Sequence, residues 1–465
     1  MPELPEVETI KNILAKLVIG KKISNIEIFN RNTIEGDPSD FAKTLRGKTI
    51  SKLTRIGKFL IFHLDEEIVF LSHLRMEGKY FYHEQMLETY DKHACVVFTF
   101  SDHSALEYND TRKFGLMKLS SASAYQASPP LSNLGPEPFD IKDIKPLLSK
   151  LARKKIPIKA VLLDQTFMAG LGNIYVDEVL YLSLIHPETP ADRISESQLQ
   201  EIIENSIKVL SMAIKSGGST IRSYHPSQGI DGGFQTQLNA YGKENLPCPR
   251  CNHGMRKIFV GGRGTTFCPR CQKNPSLPYV IGITGPIGSG KSSVLSFFGE
   301  RGYLTLSGDT IVKDLYQDKK VQESIVKLFG NNVVDESGNI DKRFIVDVII
   351  ADEHKKRRLE KILHPRVEKA VAETLKKAHN DDKIAIEMPL LFEAKLDDYC
   401  DETLYVDIKD SIQAKRLAER RLPLATLRAL NTGFDALRDK EKATYVVDNS
   451  SSLSKLYKQL KRILR

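Results

Sequence analysis

The sequence predicts a multidomain chain of two structural classes. An α+β first part holds a β-rich domain, a helical module and a metal knuckle, and an α/β domain of the P-loop type follows it. Three observations carry this expectation. Residues 23–119 run in short alternating apolar stretches (FLIFHL, IVFLSHLRM, ACVVFTF, LMKL) separated by turn-like breaks, the pattern of half-buried strands. The Cys248-Pro-Arg-Cys251 knuckle recurs as Cys268-Pro-Arg-Cys271 after sixteen residues. Finally, GPIGSGKS (285–292) follows the β-branched run YVIGIT and precedes the apolar-periodic VLSFF. From there strands and helices alternate to the end, the α/β signature.

The elements follow in order. Val7, Ile10, Leu14 and Leu17 fall on one face at helical spacing across residues 3–19, and Gly20 is a natural stop. The alternating runs occupy 23–119. Residues 120–140 are rich in Ser and Pro and read as a linker. From 141 to about 215 the period is helical, most clearly in IIENSIKVLSMAI. Residues 216–240 are rich in Gly and Ser and read as a mobile loop. KNPSLP (273–278) forms a second junction. The expected domains are 1–130, 131–235, 236–275 and 279–465.

Bulk properties set outer bounds. At roughly 100–200 residues per domain, 465 residues suggest about three domains. A hydrophobic fraction of 41% and a charged fraction of 27% suit a soluble globular chain. No apolar run approaches the ~18 residues of a membrane span. MPELPEVETIK carries acids where a signal peptide needs bases, so the expectation is a cytoplasmic protein with no membrane partner. The net charge of +9 permits nucleic-acid binding. It is shared by both halves and locates no site. Cys95 and Cys400 stand alone in or near apolar stretches and read as inert core residues.

The cysteine spacing suits one tetrahedral Zn2+ held by Cys248, Cys251, Cys268 and Cys271. The other arrangement, two disulfides, is disfavoured without a secretory signal. Four thiolates fill the shell, so the ion is structural. GGRGTTF supplies the turn of an intervening hairpin, and Arg256, Lys257, Arg263 and Arg270 around it suit contact with phosphates.

Pro2 follows Met1, and a small second residue is the usual condition for Met removal. The secondary amine then exposed titrates near pH ~7.7–8.0, so part of it is neutral and nucleophilic at working pH. Glu3 and Glu6 beside it are candidate proton shuttles. On composition alone PELPE reads as no more than a helix start, since Pro and acids favour that position.

In GxxxxGKS, glycines let backbone N–H groups of Gly285, Pro286, Ile287, Gly288, Ser289 and Gly290 line a phosphate cradle (Pro286 lacking one), continued by Ser293 in the helix. Lys291 reaches the β/γ phosphates, and Ser292 holds Mg2+. The predicted cofactors are thus ATP and Mg2+ here and Zn2+ in the first part.

Residues 1–275 resemble the formamidopyrimidine-DNA glycosylase family throughout. The matching pieces are PELPEVE, IGKFL, LSHLRMEG, NDTRKFG, AGLGNIYVDEVL and the cysteine finger, in the family's order. The resemblance implies a β-sandwich, a helix–two-turns–helix module and a zinc finger, with damaged double-stranded DNA as partner. It implies Pro2 as Schiff-base nucleophile, Glu3 as general acid/base and Lys58 as the catalytic lysine near the scissile phosphates. It implies Met76, Arg112 and Phe114 as the residues that enter the duplex when the base leaves. Met76 and Phe114 taken alone would by default be core residues. Lys159, Asn173 and Arg263 match family phosphate-contact positions, and His73 sits beside them, although a lone His next to a strand is usually structural. GGSTIRSY (217–224) resembles the loop that closes over the base. Thr111 is a departure, for the family commonly has Pro there. Oxidised purines are the expected substrate, and oxidised pyrimidines, the preference of close relatives, remain open. A purely binding role is open if Met1 is retained.

Residues 280–465 resemble dephospho-coenzyme A kinase, through ITGPIGSGKSSV, LSGDTIVKDLY, LEKILHPRVEKAV, EMPLLFEAKLDDYCDETLYVD, QAKRLAERR and VVDNSSSLSKL. The resemblance implies an α/β kinase domain that takes ATP and dephospho-CoA. Asp309 occupies the acid position after the second strand, and His364–Arg366 and Pro389–Glu393 look like acceptor-side walls. Arg416 and Arg420 lie in a stretch resembling the lid, where the arginines would close over phosphates. A solvated helix face is the plainer reading of that pair. Pro286 replaces a usual Gly, and 422–442 is not close to the family pattern. A nucleoside or nucleotide kinase, or a silent ATP-binding regulatory module, remains open. The chain is expected to be a monomer.

Overall fold

The computed structural model describes residues 2–65, 67–219, 233–335, 338–419 and 435–464. The chain divides into two compact units, Met1–Asn274 and Pro275–Arg465.

In the first unit the N-terminal stripe forms the helix Leu4–Val18, with Val7, Ile10 and Leu14 fully buried and Gly20 at φ 86° just past its end. Leu17 is only partly buried, and Val18 completes the buried face. The alternating runs make two sheets. One orders Ile23–Ile28, Ala94–Phe100, Ala105–Asn109 and Lys79–His83. The other orders Ile34–Glu35, Leu116–Ser121, Ile68–His73, Phe59–Leu64 and Ile50–Ile56. An aromatic stack of Phe62, Phe70 and Phe98, with ring centroids 4.3 and 5.4 Å apart, lies in one core with residues of both sheets and the helix. This is a β-sandwich.

Residues 120–140 are not a loose linker. Glu137 accepts both guanidinium N–H groups of Arg55, at 2.7 and 2.9 Å, and the Gly57 N–H at 2.7 Å. This bidentate clamp fixes the segment against the sheet and sets the turn that carries Lys58. The helical module follows as Lys145–Leu151, Ile158–Leu163, Asn173–Leu182 and Glu196–Lys215 around its own core. Arg256–Val260 and Arg263–Phe267 form the hairpin between the cysteine pairs. It turns through Gly261 and Gly262 at φ 57° and 74°, a two-residue turn whose positive φ angles favour glycine.

The second unit is a parallel five-stranded sheet in the order Leu304–Ser307, Lys383–Glu387, Tyr279–Thr284, Glu402–Asp407, Tyr445–Asp448. Apolar clusters cover both faces. The first strand of the unit is central, so later strands add on either side of it. A ligand crevice is expected at such a switch point, outside the carboxyl ends of the strands.

Candidate active sites

The first candidate site begins at the start of the first helix. The Glu3 N–H donates to Glu6 Oε2 at 2.9 Å, and Pro5 occupies the first turn. Pro2 is buried next to them, and the two carboxylates are only 2% and 3% exposed. Their partners separate their roles. Glu6 Oε1 accepts from the Tyr175 hydroxyl at 2.6 Å, Ser219 N at 2.8 Å and Ser219 Oγ at 3.1 Å. Glu3 Oε1 accepts from Ile174 N at 3.0 Å, in the first turn of Asn173–Leu182, while Glu3 Oε2 is buried without a partner among the described residues. Burial pushes the Glu3 carboxyl up to about 7, against the pull of the Lys58 ammonium, with Glu6 adding to the rise. Glu6 therefore has its acceptor positions filled, whereas Glu3 keeps one oxygen with no partner among the described residues.

Lys58 sits in the two-residue turn between Ile50–Ile56 and Phe59–Leu64, after Gly57 at φ 56°. Its Nζ is buried and donates to Leu171 O at 2.7 Å. Burial lowers its pKa, Glu3 and Glu6 oppose that, and Arg263 reinforces it. Four charged groups that the sequence singles out, Glu3, Glu6, Lys58 and Arg263, thus share one field.

Met76, Arg112 and Phe114 come together on the surface rather than in the core. Met76 and Phe114 are 37% and 57% exposed. Arg112 Nη1 lies 3.0 Å from Met76 Sδ, and its guanidinium lies 4.9 Å from the Phe114 ring centre. The loop is organised by buried Asp110, whose carboxylate accepts from Arg112 N, Phe114 N and Gly115 N at 2.9, 2.9 and 2.7 Å. That pattern does not involve position 111, so Thr111 leaves it intact.

The expected phosphate ligands divide. Arg263 is exposed at the hairpin tip. Asn173 donates from Nδ2 to Gly264 O at 3.0 Å, and its Oδ1 has no partner among the described residues. Lys159 differs from the expectation: it has no exposed surface, and its Nζ donates to Asp177 at 2.6 Å, Thr265 Oγ1 at 2.7 Å and Gly264 O at 3.3 Å. With all three protons used and no surface, it ties the hairpin to the helical module instead of reaching a phosphate. His73 is buried against Phe59, with ring centroids 4.5 Å apart, and its Nδ1 accepts from Arg75 N at 2.9 Å. Burial pushes its pKa down to about 3, so it is neutral and supplies no cation. Of the base-closing loop only residues 217–219 are described, anchored through Ser219 to Glu6. Residues 220–224 lie outside the described residues.

The four finger cysteines are free thiols whose sulfurs all lie within 4.8 Å of one another, with contacts of 3.5 Å (Cys251–Cys268) and 4.0 Å (Cys248–Cys271). A disulfide needs about 2.05 Å. Tetrahedral Zn–S bonds of ~2.3 Å put sulfurs about 3.8 Å apart. The donor set fits one Zn2+. Arg250 N and Cys271 N each approach a ligand sulfur at 3.4 Å, which orients the thiolates.

In the second unit the loop after Tyr279–Thr284 uses Gly285 at φ 145° and Gly290 at φ 94°. Its carbonyls are gripped from outside. Ile287 O accepts from Gln413, Gly288 O and Ser289 O from Arg416, and Ser289 O also from Asn449 Nδ2 at 2.6 Å. Arg416 is therefore neither solvated nor a free lid residue. Arg420 lies outside the described residues, as does the lid segment up to 434. Lys291 Nζ donates to Gly285 O at 2.9 Å and Pro286 O at 3.1 Å. Ser292 Oγ lies 3.4 Å from Glu387, a buried carboxyl whose pKa is raised by burial and by Asp309, against Lys291. Ser293 lies in the first turn of the helix Lys291–Gly299, and Asp309 is exposed in the first turn of Gly308–Leu315. Glu387 was missed in the sequence, although an acid closing the strand before MPLLFE is a readable signal. Gln413 and Asn449 were missed because neither has a motif of its own.

The family model for the formamidopyrimidine-DNA glycosylase N-terminal domain matches residues 1–117, that for its H2TH domain 134–225, and that for the zinc finger found in FPG and IleRS 245–274. The formamidopyrimidine-DNA glycosylase of Ligilactobacillus salivarius is 48% identical over 273 residues, covering 58% of this chain and 99% of that protein. The chain belongs to the formamidopyrimidine-DNA glycosylase family. The glycosylase of Bacillus subtilis is also 48% identical, with the same coverage. A crystal structure of the Lactococcus lactis Fpg with abasic-site DNA matches at TM-score 0.55 and 41% identity, over 59% of this chain and all of that one. The second half matches the dephospho-CoA kinase model over residues 279–455. The chain is therefore a bifunctional enzyme, a glycosylase followed by a dephospho-CoA kinase domain. No helix among the described residues is long and apolar enough to cross a membrane.

Proposed function

We propose that the glycosylase half removes oxidised purines, 8-oxoguanine and formamidopyrimidines, from duplex DNA and cuts the abasic strand. The observation that carries this is Glu3: a buried carboxyl poised at about 7 with one free oxygen, next to Pro2. The Pro2 amine, freed of Met1, attacks the sugar C1′ as the base leaves, forming an iminium that opens the sugar to β-elimination. Glu3 gives and takes the proton. Lys58 and Arg263 hold phosphates, Asn173 adds an amide donor, and Met76, Arg112 and Phe114 fill the vacated stack. Structures at 41–42% identity, titled as complexes with Fapy-dG DNA and with carbocyclic 8-oxo-G DNA, favour the purine reading over oxidised pyrimidines. Borohydride reduction during turnover tests it. Wild-type protein should become covalently attached to 8-oxoguanine DNA at residue 2 and Pro2→Gly should lose most of that adduct; absence of any adduct in wild type would refute it.

The kinase half, on this reading, transfers the γ-phosphate of ATP to the 3′-hydroxyl of dephospho-CoA. Its supporting observation is a loop whose carbonyls are all turned outward at 287–289, leaving N–H groups to face phosphates. Ser292 and Glu387 would hold Mg2+, Lys291 would bind the β/γ phosphates, and Asp309 would receive the hydroxyl proton. Phosphate transfer to dephospho-CoA, abolished in Lys291→Ala, is the test; nucleotide binding without transfer would leave a silent module. The protein works as a cytoplasmic monomer with DNA, ATP and dephospho-CoA as its partners.

A further inference from the structure

Behind the void-filling side chains lies a group with no role in the chemistry above. Met76 stands on the turn 74–78, closed by Gly78 N donating to Leu74 O at 2.9 Å, and Arg112 and Phe114 stand on the turn 110–115. Tyr108 ends between these turns. It belongs to the strand Ala105–Asn109, pairs with Tyr80 across the sheet with ring centroids 5.1 Å apart, and has no exposed surface. A β-carbon at Gly115 would lie 1.7 Å from its hydroxyl oxygen, and one at Gly78 2.3 Å away. Both turns can close round this hydroxyl only because both positions are glycine.

The hydroxyl itself has no hydrogen-bond partner among the described residues. Tyr80 shows the contrast: its hydroxyl, equally buried, donates to Ser72 Oγ at 2.7 Å. A buried unpartnered hydroxyl costs stability that phenylalanine would not. One acceptor is close by. Leu74 O lies 2.5 Å from the same β-carbon position on Gly78, and a carbonyl that accepts one N–H keeps a second lone pair.

We infer that Tyr108 is a positioning residue for the void-filling wedge: its ring sets the spacing of the two turns, and its hydroxyl donates to the Leu74 carbonyl when Met76 enters the duplex. The inference rests on the glycosylase reading above. Free protein leaves the hydroxyl unbonded, and insertion of the wedge is the step that satisfies it, so part of the insertion is driven from inside the protein.

Tyr108→Phe tests this in the full-length chain, with single-turnover excision from 8-oxoguanine duplex, strand cleavage at a preformed abasic site, and fluorescence of 2-aminopurine placed opposite the lesion. The expected result is a melting temperature equal to or above wild type, excision slowed about three- to tenfold, the effect of one hydrogen bond, and a smaller fluorescence rise. Abasic cleavage, which needs no base expelled, should change less than twofold. Excision and fluorescence unchanged from wild type would overturn the inference, and so would a lowered melting temperature, which would mean the hydroxyl is already bonded in the free protein. Tyr108→Leu removes the spacer as well and should lose the fluorescence rise altogether; a normal rise there would overturn the spacing role. A wild-type chain that excises nothing would overturn the glycosylase reading and this inference together.

Discussion

Gly172 is packed directly on the carboxyl group of Glu3: a β-carbon at position 172 would lie 2.3 Å from its carboxyl carbon and 2.5 and 2.7 Å from its two oxygens. Glycine is required here by close approach alone, because the backbone is extended at φ −134°. The same turn delivers the Ile174 N–H to Glu3 at 3.0 Å. Gly172→Ala must therefore displace the Glu3 carboxyl, the group proposed to exchange the proton. A shift of ~1 Å at a catalytic group can cost about a hundredfold. We expect excision of 8-oxoguanine to fall by about that factor while dephospho-CoA phosphorylation is unchanged, both measured on the same full-length protein.

The elevated pKa of Glu3 has a signed consequence. Burial favours the protonated carboxyl, so the folded state holds this proton up to about pH 7, whereas the unfolded chain releases it near the ordinary value of 4.5. The associated stability is fully present below the unfolded value and is lost as the pH rises to and through 7. Glu3→Gln carries no such proton. Its melting temperature should gain on that of wild type between pH 5 and pH 8. Excision by wild type should decline above pH 7 as the acid is lost. A constant melting difference across that range would contradict the assignment.

Lys159 and Asp177 form an ion pair at 2.6 Å with no exposed surface on either side chain. Asp177 also accepts Thr266 N at 3.0 Å, so the pair links the helical module to both residues that follow Gly264 in the hairpin. Removing one partner strands a buried charge, typically at a cost of ~3–5 kcal/mol. Asp177→Leu should lower the stability of the glycosylase half by about that amount in urea. The double change Lys159→Met with Asp177→Leu should recover most of it. If the single and double variants unfold alike, the pair carries no such energy.

These cases show what the sequence could and could not disclose. Pro2, Glu3, the cysteines and the P-loop are contiguous motifs, and contiguity is what a one-dimensional reading detects. The two sheets and the helices followed from apolar periodicity. Lys159 carried a motif match but no sign of burial, because its partners lie at 177, 264 and 265. Residues 120–140 had the composition of a linker, yet the Arg55–Glu137 clamp spans 82 positions. Glu3 and Glu6 are equivalent candidates from spacing alone, and only the family resemblance points to Glu3. The physical distinction lies in the three donors converging on Glu6 Oε1, against an oxygen of Glu3 with no partner among the described residues.

Asn449 gives the most demanding case in the kinase half. It donates from Nδ2 to Ser289 O at 2.6 Å, accepts Arg416 Nη2 on its own carbonyl at 3.0 Å, and is held by its N–H to Asp407 O at 2.9 Å. A β-carbon at Gly290 would lie 2.2 Å from that Nδ2. The side chain is thus a wedge against the loop, and on the proposed reading it keeps the Ser289 carbonyl turned away from the nucleotide. Asn449→Ala removes the donor, and Ser289 O loses its shortest hydrogen bond. Asn449→Asp is a stricter change, because a carboxylate has the same shape but can only accept, so it repels the carbonyl it replaces a bond to. The expected order of ATP affinity is wild type, then Ala, then Asp, with Ala weaker by about tenfold, roughly one hydrogen bond. Dephospho-CoA binding should change little, since no acceptor-side residue is touched. Titration of ATP against each variant reads this order directly. An Asp variant that binds ATP as well as Ala would show that the carbonyl orientation is fixed by the loop glycines and Arg416 alone.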